Sequence, residues 1–312
     1  MKLPIVFVVG PTASGKSDLA LRLAQEFNGA IINCDSIQMY KELNIGSAKP
    51  SQNDFLKVPH FLFNIANYPT QITAGEYLRF FEKTILELKN IDIKFLIVVG
   101  GTGFYFQALE KGMLDAGVVD PKILEEIKKQ GATREGALAL YNELISADPE
   151  CATWIHQNDK YRIERSLGIW RTEKKKVSDL KKQEAHSGLK SQGYSILKVG
   201  VSVDKAILEE RIKNRIEVMI ASGFEKEVRD LLDQGVDPHW PPFQSVGYRE
   251  MIQYIQSKDL KLDQLKLDIL ISTRQLAKKQ RTWFQRDKEI IWVDSLNYEV
   301  VQKTVQQFLA RE

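Results

Sequence analysis

The segment from Ile5 to Ala20 constrains the fold more than any other part of this chain. It places an apolar, β-branched run, Ile5 to Val9, directly before the pattern G-x-x-x-x-G-K-S, and apolar residues at helical spacing follow. A strand, a glycine-bearing loop and a helix in this order form a phosphate-binding loop, in which backbone N–H groups and a helix N-terminus face an anion. The sequence therefore predicts an α/β protein with a parallel sheet that binds a di- or triphosphate.

The loop itself supplies the first group of candidate site residues. The predicted diphosphate- or nucleotide-binding residues are Gly10, Pro11, Thr12, Ala13, Ser14, Gly15, Lys16 and Ser17. Lys16 brings a full positive charge, and the Ser17 hydroxyl is the candidate ligand for Mg²⁺, the cofactor that such loops commonly use. The pattern leaves open which phosphate compound binds and what happens to it.

Two more predicted strands end in polar residues. A strand over Ala30 to Cys34 leads into Asp35, and a strand over Lys94 to Val99 leads into Gly-Gly-Thr, ending with Thr102. Phosphoryl-transfer enzymes with this loop usually place a metal-binding Asp at the second of these positions. Because ligands bind at the carboxyl ends of the strands of an open parallel sheet, we expect the loop, Asp35 and Thr102 to meet in one crevice.

Seven motifs along the chain resemble, in order, those of the tRNA dimethylallyltransferases, or tRNA isopentenyltransferases, of the bacterial type. They are GPTASGKS, DSIQMY followed by GSAKP, VPHFL, VVGGTGFYF, RIKNRIEVMIASGFEKEV, SVGYRE and TRQLAKKQRTWF. The resemblance runs from Val6 to about Arg286. It implies transfer of a dimethylallyl group from dimethylallyl diphosphate to N6 of the adenosine at tRNA position 37, beside the anticodon, with release of diphosphate and no consumption of ATP.

The resemblance also implies roles for individual residues. The catalytic residues would be Lys16, Asp35, Thr102 and Arg215, with Arg211 as a further diphosphate ligand. Asp35 would accept the N6 proton, and the Thr102 hydroxyl would donate to the oxygen of the breaking C–O bond. The residues alone leave alternatives: Asp35 as a helix cap or metal ligand, Thr102 as a helix cap, and the two arginines as partners of Glu209, Glu210 or Glu217.

Charge placement points to RNA independently of the motifs. The net charge is only +3, yet residues 160–190 contain ten Lys/Arg and four Asp/Glu, and residues 271–288 contain six and one, so the rest of the chain is net acidic. Such stretches suit phosphate-backbone binding, although a charged run is often only a solvated surface. In the second stretch, Trp283 and Phe284 are either rings that stack on bases or core residues of a last long helix.

The resemblance and the basic stretches together predict tRNA contacts in four places along the chain. They are Asp35, Ser36, Ile37, Gln38, Tyr161, Arg162, Arg165, Gln244, Gly247, Tyr248, Arg249, Lys278 and Arg281. Two positions depart from the family's pattern, since Tyr161 stands where a Gln is usual and Leu124 stands where an Arg is usual.

Domain organisation follows from where strand patterns stop. From Asp120 to about Gly193 every periodic segment is helical, and strand patterns return at Tyr194 to Val201 and Glu289 to Val293. The sequence therefore predicts a core with the fold of P-loop nucleoside-triphosphate hydrolases, residues 1–115 and 194–312, with a helical insertion at 116–193. In the family the corresponding insertion grips the anticodon stem-loop.

Two other functions remain compatible with the loop, namely a P-loop kinase of small molecules and a non-catalytic P-loop RNA-binding protein.

Composition limits the cellular compartments in which the protein can be expected. The two cysteines have neither metal-type spacing nor a disulfide framework, and no apolar run approaches the length of about 18 residues that spans a membrane. We therefore expect a soluble, cytoplasmic protein that acts as a monomer and has no membrane partner.

Overall fold

The computed structural model describes residues 2–88, 91–113, 119–183, 188–257 and 259–311. It divides the chain into two compact units, residues 1–107 with 194–312, and residues 108–193. The boundary that the sequence predicts at residue 116 lies outside the described residues. Among the described helices, none combines the length and the apolar character that crossing a membrane requires.

The first unit contains a parallel sheet of six strands in the spatial order β3-β2-β4-β1-β5-β6. The strands are β1 (Ile5–Val9), β2 (Gly29–Asn33), β3 (His60–Phe61), β4 (Phe95–Gly100), β5 (Ile196–Ser202) and β6 (Ile291–Asp294). Parallel α/β topology of the P-loop type is therefore confirmed.

Strand β1 lies at the centre of this sheet and explains the apolar run that opens the chain. Ile5 pairs with Leu96 of β4 on one side and with Ile196 of β5 on the other, and all five residues of β1 are buried. A strand covered on both faces needs apolar side chains at every position. The sequence did not predict β3, because two residues at the sheet edge are too short to show any periodicity.

Helices α1 to α4 and α10 to α14 accompany the sheet. They are α1 (Lys16–Phe27), α2 (Gln52–Lys57), α3 (Ala74–Glu87), α4 (Gly103–Lys111), α10 (Lys205–Ala221), α11 (Phe224–Asp233), α12 (Tyr248–Gln256), α13 (Leu262–Phe284) and α14 (Tyr298–Leu309). The division between the two units falls within α4.

Apolar packing fixes these helices to the sheet. On one side, Leu23 of α1 and Val301 of α14 join a buried cluster with β-strand residues. Elsewhere in the unit, Phe106 of α4 contacts Phe7 of β1 and Phe284 of α13 edge to face, with ring centroids 5.1 and 5.8 Å apart. Phe284 is 3% exposed, so it is a core residue and not a ring that stacks on bases.

The second unit is helical, as the sequence predicts for this part of the chain. Its helices are α5 (Pro121–Gln130), α6 (Arg134–Ala147), α7 (Pro149–Ala152), α8 (Lys160–Glu173) and α9 (Val177–Gln183). A buried cluster that includes Ile127, Leu144 and Leu167 holds them together. Leu124, at the position where the family usually has an Arg, packs against Val119 and Ile169.

Candidate active site

The phosphate loop, residues Gly10–Ser17, presents a helix end that has no side-chain cap. Helix α1 starts at Lys16, and its N-cap residue Gly15 adopts a left-handed conformation with φ of 89°. Ala13, two residues earlier, is also left-handed with φ of 61°. Backbone turns of this kind make concave sites in which N–H groups converge on an anion.

A buried hydroxyl lies inside this loop. Ser14 is 0% exposed, and its Oγ has no hydrogen-bond partner among the described residues. A buried polar atom without a partner costs free energy, so native structures usually supply one. The Lys16 ammonium donates to the Pro11 carbonyl at 3.3 Å, which keeps this side chain folded over the loop.

Two arginines of α10 reach the loop from outside. Arg211 donates through Nη1 to the Ser14 carbonyl at 3.1 Å, and Arg215 donates through Nη1 to Thr12 Oγ1 at 3.2 Å. Their spacing of four residues places both on one helix face, as the sequence predicts. Two carboxylates that were alternative partners pair elsewhere: Glu209 with Lys213 and Arg274, and Glu217 with Lys266.

Lys16, Asp35 and Arg215 lie close enough to influence one another electrostatically. Burial of the Lys16 ammonium lowers its pKa to about 8, the Asp35 charge opposes that shift, and the Arg215 charge adds to it. Burial also lowers the pKa of Arg215, again opposed by Asp35. The structure therefore brings the three predicted charged residues together, with more positive than negative charge.

The loop after β2 holds Asp35 in a fixed local conformation. Its Oδ1 accepts a hydrogen bond from the Ile37 N–H at 2.9 Å, and its own N–H donates to Asn33 Oδ1 at 3.0 Å. The Asn33 amide in turn donates to the Leu62 carbonyl at 3.0 Å. One carboxylate oxygen of Asp35 is thus engaged with its own backbone turn.

Thr102 links the ends of β4 and β2. Its Oγ1 accepts from the Ser36 N–H at 3.1 Å and donates to Ser36 Oγ at 3.4 Å. Among the described residues, these hydroxyl contacts go to Ser36 and not to the first turn of α4. The side chain therefore lies beside the loop that carries Asp35, as expected for converging strand ends.

Residues 36–49, here called the 36–49 loop, contain the predicted RNA contacts Ser36, Ile37 and Gln38, all half-buried. The Gln38 side-chain amide donates to the carbonyls of Ser47 and Ala48 at 3.0 and 3.1 Å. These bonds use the nitrogen of the amide as a donor. The position of Gln38 therefore depends on the far end of the same loop.

Glu227 of α11 fixes that far end. Its carboxylate accepts from the N–H groups of Asn44, Ile45 and Gly46 at 3.1, 2.7 and 3.3 Å, and from the Tyr248 hydroxyl at 2.7 Å. Hydrogen bonds to a charged acceptor are stronger than those between neutral groups. This single side chain therefore anchors three consecutive residues of the 36–49 loop.

Lys49, at the end of the 36–49 loop, forms hydrogen bonds with residues earlier in the same loop and with Asn64. Its ammonium donates to the Tyr40 carbonyl and to the side-chain oxygens of Asn44 and Asn64, the last two at 3.0 and 2.6 Å. Burial lowers the pKa of Lys49 to about 8, and the Glu227 charge opposes that shift. The Lys49 ammonium therefore links the end of the 36–49 loop to its middle.

The segment 244–249 differs in part from the expectation that it contacts RNA. Tyr248 is 0% exposed, its ring lies 5.1 Å from that of Phe224, and its hydroxyl is bonded to Glu227. Gly247 is buried as well. Tyr248 thus supports the 36–49 loop, whereas Gln244 is exposed and Arg249 is half-exposed beside Glu250.

Helix α13 carries exposed cationic side chains and one glutamine side chain that contacts the candidate site. Lys278 and Arg281 are exposed. Gln280 lies between them in sequence and contacts the site, since its Oε1 accepts from the Thr12 N–H at 2.8 Å and its Nε2 donates to the Gly101 carbonyl at 3.0 Å. Gln280 and Glu227 both lie within motifs that carry the family resemblance, but the sequence does not predict their contacts, because a polar residue on a charge-rich helix is typical of a solvated surface.

Within the helical unit, the predicted RNA contacts share the start of α8. Tyr161 is 76% exposed, and Arg162 and Arg165 are exposed too. Arg162 pairs with Asp159, Nη1 to Oδ2, at 2.8 Å. The three side chains therefore present a ring and two guanidinium groups at the surface of this unit.

Fold and site together define a P-loop α/β protein in which the anion-binding loop faces a carboxylate and a hydroxyl at neighbouring strand ends. The family model described as IPP transferase matches residues 38–287. The chain belongs to the tRNA dimethylallyltransferase family, as its motifs indicate.

Relatives and solved structures agree with this assignment. The tRNA dimethylallyltransferase of Bdellovibrio bacteriovorus is 47% identical over 309 residues, 99% of each chain. That of Geobacter metallireducens is 39% identical over 293 residues, 94% of this chain and 93% of the relative. A tRNA isopentenylpyrophosphate transferase from Staphylococcus epidermidis superimposes with a TM-score of 0.68 at 28% identity, covering 99% of this chain and 100% of the other. A eukaryotic dimethylallyltransferase acting on tRNA gives 0.80 at 26% identity, covering 94% and 74%.

The lowered pKa of Lys16 predicts a pH-dependent affinity for anions. Without a bound anion Lys16 loses its proton as the pH rises through about 8. Loss of this proton alone should make the dissociation constant for inorganic diphosphate about ten-fold larger at pH 9 than at pH 7, since these values lie one pH unit on either side of the pKa. Calorimetric titration from pH 7 to 9 measures this.

Lys16→Arg is the matched control, because arginine stays charged throughout this range. Its diphosphate affinity should change with pH only as much as the ligand's own protonation requires. The same pH dependence in both proteins would exclude Lys16 as the titrating group.

Proposed function

We propose that this protein transfers a dimethylallyl group from dimethylallyl diphosphate to tRNA, at N6 of adenosine 37 beside the anticodon, and releases diphosphate. One observation carries the proposal: the anion-binding loop, with its excess of positive charge, lies beside Asp35 and Thr102. Such a site suits departure of an anion together with removal of a proton. The named relatives of the family support the same reaction.

The chemistry requires stabilisation of a leaving anion. A bond forms between N6 and the allylic carbon, the bond from that carbon to the diphosphate oxygen breaks, and its electron pair leaves with the diphosphate. Lys16, Arg211 and Arg215 would neutralise the growing charge, together with the N–H groups of the loop. The Ser14 hydroxyl, which has no hydrogen-bond partner within the described part of the chain, would donate to a phosphate oxygen.

The same reaction releases a proton from N6. Asp35 would accept it as general base, through the carboxylate oxygen that does not bond Ile37. The Thr102 hydroxyl would donate to the oxygen that leaves the allylic carbon. Its present bond to Ser36 Oγ is long, at 3.4 Å, so little is lost when it turns to a stronger acceptor.

Mg²⁺ fits this site as a companion of the diphosphate. The described residues contain no group of three or more His, Cys, Asp or Glu side chains that would hold a metal by themselves. Mg²⁺ commonly keeps several waters and uses substrate phosphates plus one or two protein ligands. Ser17, exposed at the start of α1, would be that ligand, and the ion would supply further charge neutralisation to the leaving group.

RNA binding is proposed for two exposed cationic surfaces. In the helical unit, Tyr161, Arg162 and Arg165 would contact the anticodon stem-loop, and this unit would grip that part of the tRNA. In the other unit, Lys278 and Arg281 of α13 would contact phosphates. Further contacts are proposed for Ser36, Ile37, Gln38, Gln244 and Arg249.

The setting we propose is the cytoplasm, with the protein acting as a monomer. Both cysteines, Cys34 and Cys151, are free and buried, which suits a reducing compartment.

The two alternative functions, a small-molecule kinase and a non-catalytic RNA-binding protein, are not favoured. A small-molecule kinase does not account for Gly101 and Thr102 at the end of β4, and an RNA-binding protein without activity does not account for the charged cluster around Lys16.

Labelled donors distinguish these functions in one experiment. We expect label from [1-¹⁴C]dimethylallyl diphosphate to appear in unmodified tRNA, with one equivalent of diphosphate released. With [γ-³²P]ATP instead, we expect neither labelled product nor hydrolysis stimulated by tRNA. Phosphate transfer or strong hydrolysis would establish the kinase function, and absence of both reactions with intact tRNA binding would establish the non-catalytic one.

The general-base role predicts the effect of Asp35→Asn. This variant should fold and bind tRNA but lose turnover by about 10²–10⁴-fold, the usual contribution of a general base. Single-turnover transfer at saturating tRNA and donor measures it. Asp233→Asn, at an exposed position near the end of α11, removes the same charge and should keep the wild-type rate. An Asp35→Asn rate above about a third of wild type would be incompatible with the role.

The RNA surface of α8 predicts a change in salt dependence. Arg162→Ala combined with Arg165→Ala should weaken tRNA binding and reduce the slope of log affinity against log salt by about 0.7 to 0.9 per lost contact. Turnover of the bound complex should persist. Titration at several salt concentrations gives the slope.

The control for total charge is the double substitution Lys128→Ala with Lys129→Ala, two exposed cations on α5 of the same unit. We expect it to keep the wild-type slope. An unchanged slope with lost turnover in the α8 variant would instead place Arg162 and Arg165 in the reaction itself.

A further inference from the structure

Gln280 joins two parts of the active site that are far apart in sequence. Its amide oxygen binds the Thr12 N–H in the phosphate loop, and its amide nitrogen binds the Gly101 carbonyl at the end of β4. The two bonds, at 2.8 and 3.0 Å, span 268 and 179 residues of sequence. Both are partly buried, so water competes for them less than at an open surface.

The bridge depends on the chemistry of an amide. A glutamine offers one acceptor and one donor at a fixed separation on one planar group. A carboxylate would set an oxygen against the Gly101 carbonyl, and an apolar side chain would leave both backbone groups without a partner. Glutamine satisfies the Thr12 N–H and the Gly101 carbonyl together at any pH, whereas glutamate of the same length can do so only with a protonated carboxyl.

The turn after β4 is shaped to admit this side chain. A Cβ atom at Gly101 would lie 2.3 Å from Gln280 Nε2, and a Cβ at Gly103 would lie 2.2 Å from Cδ1 of Trp283. Gln280 and Trp283 are three residues apart on α13, so they lie on the same helix face. Helix α13 therefore contacts the turn immediately before and immediately after Thr102.

Thr12 is held from two directions. Gln280 takes its N–H, and Arg215 donates to its Oγ1 at 3.2 Å. The start of the phosphate loop is therefore bonded to α13 through the Thr12 backbone N–H and to α10 through the Thr12 hydroxyl. Thr102 belongs to the segment at the other end of the Gln280 bridge.

We infer that Gln280 is a positioning residue that sets the phosphate loop at a fixed separation from the Gly101–Thr102 turn. The expected effect of Gln280 on the transfer rate rests on the proposed function, because it concerns the distance between the leaving diphosphate and the Thr102 hydroxyl. The expected effect on binding of inorganic diphosphate does not rest on it, because a displaced phosphate loop would bind this anion less well whichever reaction the protein catalyses.

The test compares Gln280→Met with Gln275→Met, a change of the same type at an exposed position of the same helix. Loss of both hydrogen bonds should weaken inorganic diphosphate binding and lower kcat for transfer by about ten-fold each. The KM for tRNA and its salt dependence should stay within about two-fold of wild type. Gln275→Met should match wild type in all four measurements.

A second substitution keeps the inference testable if Gln280→Met does not fold. Gln280→Glu retains the acceptor for Thr12 but carries a donor for Gly101 only when its carboxyl is protonated. Burial and the facing carbonyl would raise the pKa of that carboxyl above the usual value of about 4.3. The rate of this variant relative to wild type should therefore increase as the pH is lowered from about 8 to about 5.5.

Gly101→Ala tests the bridge from its other end. The added methyl group should displace the Gln280 amide and reproduce the diphosphate defect of Gln280→Met. In the double variant the defect should equal that of one substitution alone, because both remove the same interaction.

The outcomes separate the two proposals. Wild-type diphosphate affinity and kcat in Gln280→Met, with only a lower melting temperature, would show that Gln280 serves stability and would overturn the inference. Additive defects in the double variant would overturn it too. Weakened diphosphate binding in a protein that transfers no dimethylallyl group would support Gln280 as the positioning residue and refute the proposed function instead.

Discussion

The parallel register of β1 between β4 and β5 is the constraint on which the site depends. Val9, the last residue of β1, pairs with Gly100, the last residue of β4, and with Gly200 of β5, so β1 and β4 end at the same level and β5 runs two residues further. The phosphate loop and Thr102 follow directly from two of these ends. Burial of the central strands on both faces prevents the register from slipping, because any shift would misplace apolar side chains along the whole sheet.

Electrostatics explains why the site needs an anion. Lys16 and Arg215 are partly buried close to Asp35, and burial lowers the pKa of both cations although the Asp35 charge opposes the shift. Burying charge without a partner is costly, and here the cost is retained in the protein until a diphosphate arrives. A bound anion would return the pKa of Lys16 toward its ordinary value, because it supplies negative charge to a cation that has lost part of its hydration.

The sequence predicts those parts of the site that are encoded locally. The phosphate loop, the central strands and the helical insertion all follow from short patterns, and the five strands other than β3 begin within two residues of their predicted positions. Contacts between distant segments leave no such pattern. Glu227 reaches the 36–49 loop across 183 residues, and Gln280 reaches Thr12 across 268. Tyr248 shows that a motif does not reveal the role of each of its residues. We expected it to contact RNA, but it is buried, and its hydroxyl binds the Glu227 carboxylate that holds the 36–49 loop.

The end of β4 shows how one loop type can serve a different reaction. P-loop kinases hold their metal with a carboxylate at this strand end and move a phosphoryl group. Here the strand ends in two glycines and Thr102, and the absence of side chains on Gly101 and Gly103 admits Gln280 and Trp283 of α13. A hydroxyl stands where an acid would hold metal, and a helix bearing exposed cations is fixed to the turn around it. The anion-binding loop keeps the geometry of a phosphate site, whereas the neighbouring strand end lacks the metal-binding acid and brings to the site helix α13, whose exposed cations we propose to contact RNA.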